Sequence, residues 1–165
     1  MTSIIKVDQI QNAAGGVPTA GDLGLNVSGS VLQVVSTNFT SDTNYSSSGV
    51  VKIFGLNITP KYSSSKVLVV YNINSIWKTG SYSNAEANWY LYRDNSVSLA
   101  HLDGITPYNG LSEGHSAGSI AGSFLDSPAS TSTKHYSLEI SVNAGVVRVN
   151  TEGGTSSITL LEIAG

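Results

Sequence analysis

Residues Gly114-His115-Ser116-Ala117-Gly118 have the G-x-S-x-G spacing of a serine nucleophile elbow, and Asp126 and His135 follow in the chain order Ser-Asp-His. Such a set would do acyl transfer: the histidine takes the serine proton while the carboxylate holds the imidazole in place. The elbow works only where a buried strand runs into the serine and a helix leaves it, so that the turn is tight and the hydroxyl exposed. Here Tyr108 to Glu113 reads as a loop and Ser119 to Phe124 as a strand. Ser116 is therefore expected in a surface loop of a Gly/Ser-rich chain, and no catalysis is expected.

His101-Leu102-Asp103 places an imidazole and a carboxylate on one side of a strand, a spacing that holds a metal only if a third ligand such as Glu113 or His115 converges. Nothing in the spacing supplies that convergence. Glu86, Asp94, Asp103, Glu113 and Asp126 are scattered, so no pair has the defined separation that glycoside hydrolysis needs. No cofactor and no metal is expected.

The aromatic residues point to binding. Tyr82 and Tyr108 lie in polar, glycine-containing loops with Asn84, Asp103, Asn109 and His115. An aromatic face stacks on the apolar face of a sugar while short polar groups bond its hydroxyls. These six residues are the receptor-binding candidates, with a host surface glycan as ligand. Trp77, Trp89 and one face of Tyr90 to Tyr92 are expected in the core, because large aromatic residues in strands are usually buried.

The elements that would carry these loops are strands. Residues 31–35, 50–54, 67–73, 89–93, 136–142, 146–149 and 158–163 are rich in β-branched and aromatic residues and lie between Ser, Thr, Asn, Gly and Pro clusters, with weaker candidates at 97–102 and 117–125. No window has a helical period. The pattern predicts an all-β fold, an antiparallel jelly-roll-like sandwich of about eight or nine strands over residues 31–165. Residues 1–30 differ: an apolar alternation through Ile4, Ile5, Val7 and Ile10 gives way to glycines, one proline, Leu23 and Leu25. They read as an extended attachment arm whose apolar groups (Ile4, Ile5, Val7, Ile10, Leu23, Leu25) order against a partner.

Charged residues make up 12% of the chain and the net charge is −3, against about 25% charged residues in an average soluble protein. There is no basic footprint for nucleic acid or an anionic membrane. Cysteine is absent, which excludes disulfides and thiolate metal sites. Neither a signal peptide nor a run long enough to cross a bilayer is seen, so the chain is expected to fold in cytosol, where the Asn-x-Ser/Thr triplets at Asn26, Asn38, Asn44 and Asn57 stay unmodified. A neutral polar surface with few repelling charges suits a protein that packs against copies of itself.

In the last apolar stretch Ile158, Leu160 and Glu162 point one way and Thr159, Leu161 and Ile163 the other. A strand aliphatic on both faces is expected to be central, with one face in the core and the other near a subunit interface. Ile158, Leu160, Leu161 and Ile163 are the interface candidates, and a homotrimer is the expected assembly.

Four segments, taken in order, resemble a known family: Ile5-Lys6-Val7-Asp8-Gln9-Ile10-Gln11-Asn12 with Gly15-Gly16; Leu56 to Val69 with Thr59-Pro60-Lys61-Tyr62 at its centre; Ser123-Phe124-Leu125-Asp126-Ser127-Pro128; and Ser157 to Ile163. Together they are similar to small tail-fibre-like virion proteins of tailed phages, especially marine and cyanobacterial ones, over nearly the whole chain. The resemblance implies a trimeric jelly-roll head of the tumour-necrosis-factor and complement-C1q type, with a C-terminal strand near the three-fold axis. It also implies a virion protein assembled in the host cytoplasm, whose partners are itself and, through the arm, other virion proteins. The expected role is a short tail fibre or receptor-binding adhesin. The alternatives are a capsid decoration protein of the same fold, since no long shaft repeat is present, and, remotely, a small serine hydrolase acting on host surface polymer.

Overall fold

A computed structural model of the chain describes residues 10–11, 14–18, 27–46, 48–79, 87–102 and 116–165. Among these the regular elements are β1 (Val31–Phe39), β2 (Thr43–Tyr45), β3 (Val51–Ile58), β4 (Lys66–Thr79), β5 (Ala87–Arg93), β6 (Val97–Leu102), β7 (Ser116–Asp126), β8 (Lys134–Val142), β9 (Val146–Val149) and β10 (Ser156–Ile163), with one 3-10 turn at Thr151–Gly153. Every predicted strand is present, including the two weak ones. The unpredicted pieces include β2, which has three residues and is held by pairing with β9, and the extensions of β1, β3 and β4 beyond Val35, Phe54 and Ile73.

All the pairings are antiparallel. One sheet runs β1-β10-β4, with β7 on the far edge of β4 and β9 and β2 continuing the β10 and β1 columns; the other runs β3-β8-β5-β6. Strands adjacent in the chain mostly alternate between the sheets, so that β1, β10, β4 and β7 face β3, β8, β5 and β6. That is the strand arrangement of a jelly roll, two Greek keys closed on one core. Strand β10 lies between β1 and β4, as its two aliphatic faces require.

The first sheet is interrupted near the start of β1, between Val31 and Gln33, and again within β4, where polar side chains repair the break. Strand β4 bulges between Ile73 and Ile76, with Ser75 at φ 46°, beside Asn150 at φ 61°. Asparagine tolerates this left-handed backbone better than most residues. The buried Asn150 side chain donates to the carbonyls of Phe39 and Ser41, while its amide oxygen accepts from Ser156 Oγ at 2.6 Å. Ser156 Oγ in turn accepts from the Asn74 N–H, and Thr151 Oγ1 donates to the Ser75 carbonyl. Backbone groups that the bulge removes from the ladder thus find partners, as burial demands.

Between the sheets lies one apolar cluster that includes Val67, Val69, Ile73, Trp89, Leu91, Tyr136, Leu138, Ile140, Ile158 and Leu160, all fully buried. Phe39 and Phe54 stack across it, with centroids 5.4 Å apart. At Gly122 a Cβ would lie 2.6 Å from the Tyr71 hydroxyl, so the absence of a side chain lets the ring of the paired Tyr71 lie over β7.

Glu162, fully buried on the inward face of β10, ties the β3–β4 loop to β10 and to β1. It accepts from Gln33 Nε2 at 2.6 Å, from the Lys61 N–H at 2.6 Å and from Ser65 Oγ at 2.7 Å. Burial alone would raise its pKa; the hydrogen bonds from Ser65, Gln33, Lys61 and Tyr62 outweigh that and hold the carboxyl below its ordinary value. The resulting stabilisation is complete above the ordinary carboxylate pKa and is lost as pH falls through the lower folded value. Glu162→Gln should therefore cost about 2–3 kcal/mol at neutral pH, since it weakens hydrogen bonds to a charged acceptor. In urea unfolding the gap between wild type and variant should narrow as pH falls below the ordinary carboxylate range and the wild-type carboxylate protonates.

Candidate functional site

The residues of the apparent triad do not come together. Ser116 and Asp126 are the first and last residues of β7, which at about 3.3 Å per residue places their backbones roughly 30 Å apart. Strand, not helix, follows the serine. His135 on β8 has Nδ1 2.6 Å from Asn57 Oδ1, and burial followed by the nearby Lys52 charge lowers its pKa.

Asp126 is instead the centre of a clamp between the sheets. Arg93 Nη1 on β5 donates to both carboxylate oxygens, at 2.8 and 2.6 Å, and the Tyr136 hydroxyl on β8 donates to Oδ2 at 2.7 Å. Burial opposes the Arg93 charge, but Asp126 outweighs it and raises the guanidinium pKa. Tyr136, fully buried, is pushed far up by burial and then by its bond to Asp126, so it serves as a donor. The clamp fixes β7 of one sheet against β5 and β8 of the other, a positioning role.

Of the interface candidates, Ile158 and Leu160 fill the core and have no exposed surface. This corrects their assignment to an interface: they share the parity of Glu162, which points between the sheets. Leu161 and Ile163 are half-buried on the opposite, open face of the first sheet. Cross-strand register builds more around them. Val34 pairs with Leu161, Leu161 with Leu68 and Leu68 with Leu125, an aliphatic row across β1, β10, β4 and β7. Val31 lies opposite Ile163 on one side of this row, and Val70 lies in the next row on the other. Val31, Val34, Val70 and Leu125 are 53%, 56%, 40% and 50% exposed. Further along, the face turns polar through Ser36, Thr159 and Ser123, then Asn38, Ser157 and Asn72. Val34, Leu68, Val70 and Leu125 were not singled out in the sequence. The available signal was Val67-Leu68-Val69-Val70, apolar at both parities.

The receptor-binding candidates Tyr82, Asn84, Asp103, Tyr108, Asn109 and His115 lie outside the described residues, as do Glu113 and the arm residues Ile4, Ile5, Val7, Leu23 and Leu25. Ile10 is 53% exposed. His101 is exposed on β6 with its ring stacked on Tyr90. Among the described residues no group of three His, Asp or Glu is placed to hold a metal ion. Trp89 is fully buried as expected, and Trp77 is half-buried.

No protein-family model matches the chain, and no curated protein matches its sequence. Among solved structures the chain is similar to VP2 of infectious bursal disease virus in a subviral particle, at 15% identity and a TM-score of 0.47 over 82% of this chain and 34% of that one. It is similar to the structure of the Gx strain of that virus at 15% identity and a TM-score of 0.44, over 81% of this chain and 32% of that one. It also matches T=1 particles derived from the virus at 13% identity and a TM-score of 0.41, over 82% of this chain and 37% of that one. The chain spans about a third of the length of these proteins, and the likeness is distant.

The clamp makes a prediction. Arg93→Met, which leaves the Asp126 charge buried without its partner, should cost about 3–5 kcal/mol of unfolding free energy. Adding Asp126→Leu should recover much of that loss, because no unpaired charge then remains. Chemical denaturation of the three chains checks both signs.

Proposed function

We propose that this chain is a structural protein of a virion that assembles as a homotrimer through the open face of the β1-β10-β4-β7 sheet. The observation that carries the reading is the Val34–Leu161–Leu68–Leu125 row, aliphatic across the full width of a sheet and covered by nothing in the chain's described residues. Covering a Val or Leu side chain contributes about 1.5–3 kcal/mol when burial is complete, so water is a poor neighbour for four strands' worth of them. A contiguous apolar patch of this kind marks an interaction surface. Among the described residues in the rows around it only Lys66 is charged, so the face offers little charge to desolvate on contact. The resemblance to trimeric jelly-roll heads, in which a C-terminal strand lies near the axis, favours three copies. It also favours a short tail fibre or receptor-binding adhesin, docked to the particle by residues 1–30.

Light scattering on the wild-type chain should give three chain masses at micromolar concentration. Val34→Asp and Leu125→Asp should each give one, with little change in the stability of the single chain, about 0.5 kcal/mol, because both sites are half-exposed within it. A wild-type mass of one chain would overturn the reading. The arm has its own test. Gly29 N–H donates to the Ala164 carbonyl and Ala164 N–H to Ser30, so residues 29–30 belong with the sandwich edge. A chain starting at Val27 should fold and assemble yet fail to join particles, which copy number per particle measures. Normal incorporation would place the docking surface elsewhere.

A further inference from the structure

The open face of the other sheet has a different chemistry. Alternation along β5 buries Trp89 and Leu91 completely and turns Tyr90 and Tyr92 outward. His101 of β6 lies directly across from Tyr90, and the two rings are stacked with centroids 4.7 Å apart and planes 5° apart. The Tyr92 ring follows, its centroid 6.0 Å from that of Tyr90. The β5–β6 turn holds this register: Asp94 and Asn95 take the left-handed conformation, at φ 54° and 56°, and Asp94 accepts from the His135 N–H and from Lys134 Nζ.

On the other side of β5, strand β8 sets Ser141, Glu139 and Ser137 opposite Asn88, Tyr90 and Tyr92. The Ser137 hydroxyl donates to Glu139 Oε1 at 2.7 Å, and the Tyr90 hydroxyl lies 3.5 Å from Ser141 Oγ. Lys52 of β3 stands opposite Glu139. Ser137 and Ser141 are themselves buried, so the polar groups that border the three aromatic rings at the surface are Asn88 and the Glu139 carboxylate, whose charge is faced by a lysine.

A pyranose presents the complement: a flat patch of C–H groups for an aromatic face, and hydroxyls around its rim for short polar side chains. The balance of Lys52 against Glu139 leaves no excess positive charge for a phosphate, sulfate or acidic sugar. We propose that the outer face of β3-β8-β5-β6 is a binding platform for a neutral carbohydrate, with Tyr92 as the stacking ring, Tyr90 held beside it by its own stack on His101, and Asn88, His101 and Glu139 as partners for hydroxyls. This site lies on the sheet itself, within a single chain. It extends the adhesin reading by naming a contact surface, and rests on that reading only for its display in several copies, which would turn weak single contacts into avidity.

The test is saturation-transfer NMR on the full chain with cellopentaose, chitopentaose and maltopentaose as probes. Transfer to ring protons of at least one sugar is expected, with millimolar affinity per chain. Tyr92→Ala should weaken it by about tenfold or more, and Tyr92→Phe, which keeps the ring, by much less. If Tyr92→Ala fails to fold, the surface variant Glu139→Gln with His101→Ala takes its place and should weaken binding about as strongly. Because the contact is made within one chain, its affinity is read per chain whatever mass light scattering returns, so this proposal and the trimer fail separately. No transfer from any of the three sugars would overturn it, as would transfer undiminished by the variants.

Discussion

Side chains in a strand alternate with period two, so β10 cannot bury Ile158, Leu160 and Glu162 without turning Leu161 and Ile163 to the other side. Both halves of that constraint shape the molecule. The inward residues join the core and anchor the β3–β4 loop; the outward ones meet Val34 and Leu68 in register and, through β4, Leu125. An alternation that serves the fold on one face therefore writes a second apolar surface on the other, and the function proposed for the chain follows from needing to cover it.

Charge is scarce in this protein, at 12% of residues, and much of what is buried acts as fastening. Glu162 holds a loop to β1 and β10, and Asp126 holds β7 against β5 and β8 through Arg93 and Tyr136. Each carboxylate has several donors, which is the condition under which a buried charge is tolerated. The two open faces then divide the surface by chemistry, one aliphatic and the other aromatic and polar. On the reading advanced above, the first turns inward to other copies and the second stays available to solvent and ligand.

Much of the fold was legible because strand residues advertise themselves locally: Val146 to Val149 and Ile158 to Ile163 were read with bounds close to those observed. What was not legible depends on pairing between distant residues. Asn150 looks like a loop residue, yet it bridges to Phe39 and Ser41, more than a hundred positions away. Asp126 fits a triad by its order in the chain, and only the folded register delivers it to Arg93. The parity of Glu162 was correctly read, but Ile158 and Leu160, which share it, were still counted as interface residues. Alternation assigns residues to faces without saying which face meets the second sheet. One face of the Tyr90 to Tyr92 strand was read as core, and Leu91 fills it, while Tyr90 and Tyr92 open onto the outer face beside His101.

The most direct test of whether the aliphatic row is a contact between copies uses the absence of native cysteine. Val34→Cys and Leu125→Cys in one chain place thiols at opposite edges of the row, three strand spacings or about 14 Å apart, too far to form a disulfide with each other without backbone movement. The trimer proposed above would be a heterologous ring that sets the β1 edge of one copy against the β7 edge of the next. Mild oxidation of the full chain should then give covalent multimers that close at three on a non-reducing gel. A chain that remains single after oxidation, at concentrations of tens of micromolar, would contradict the account.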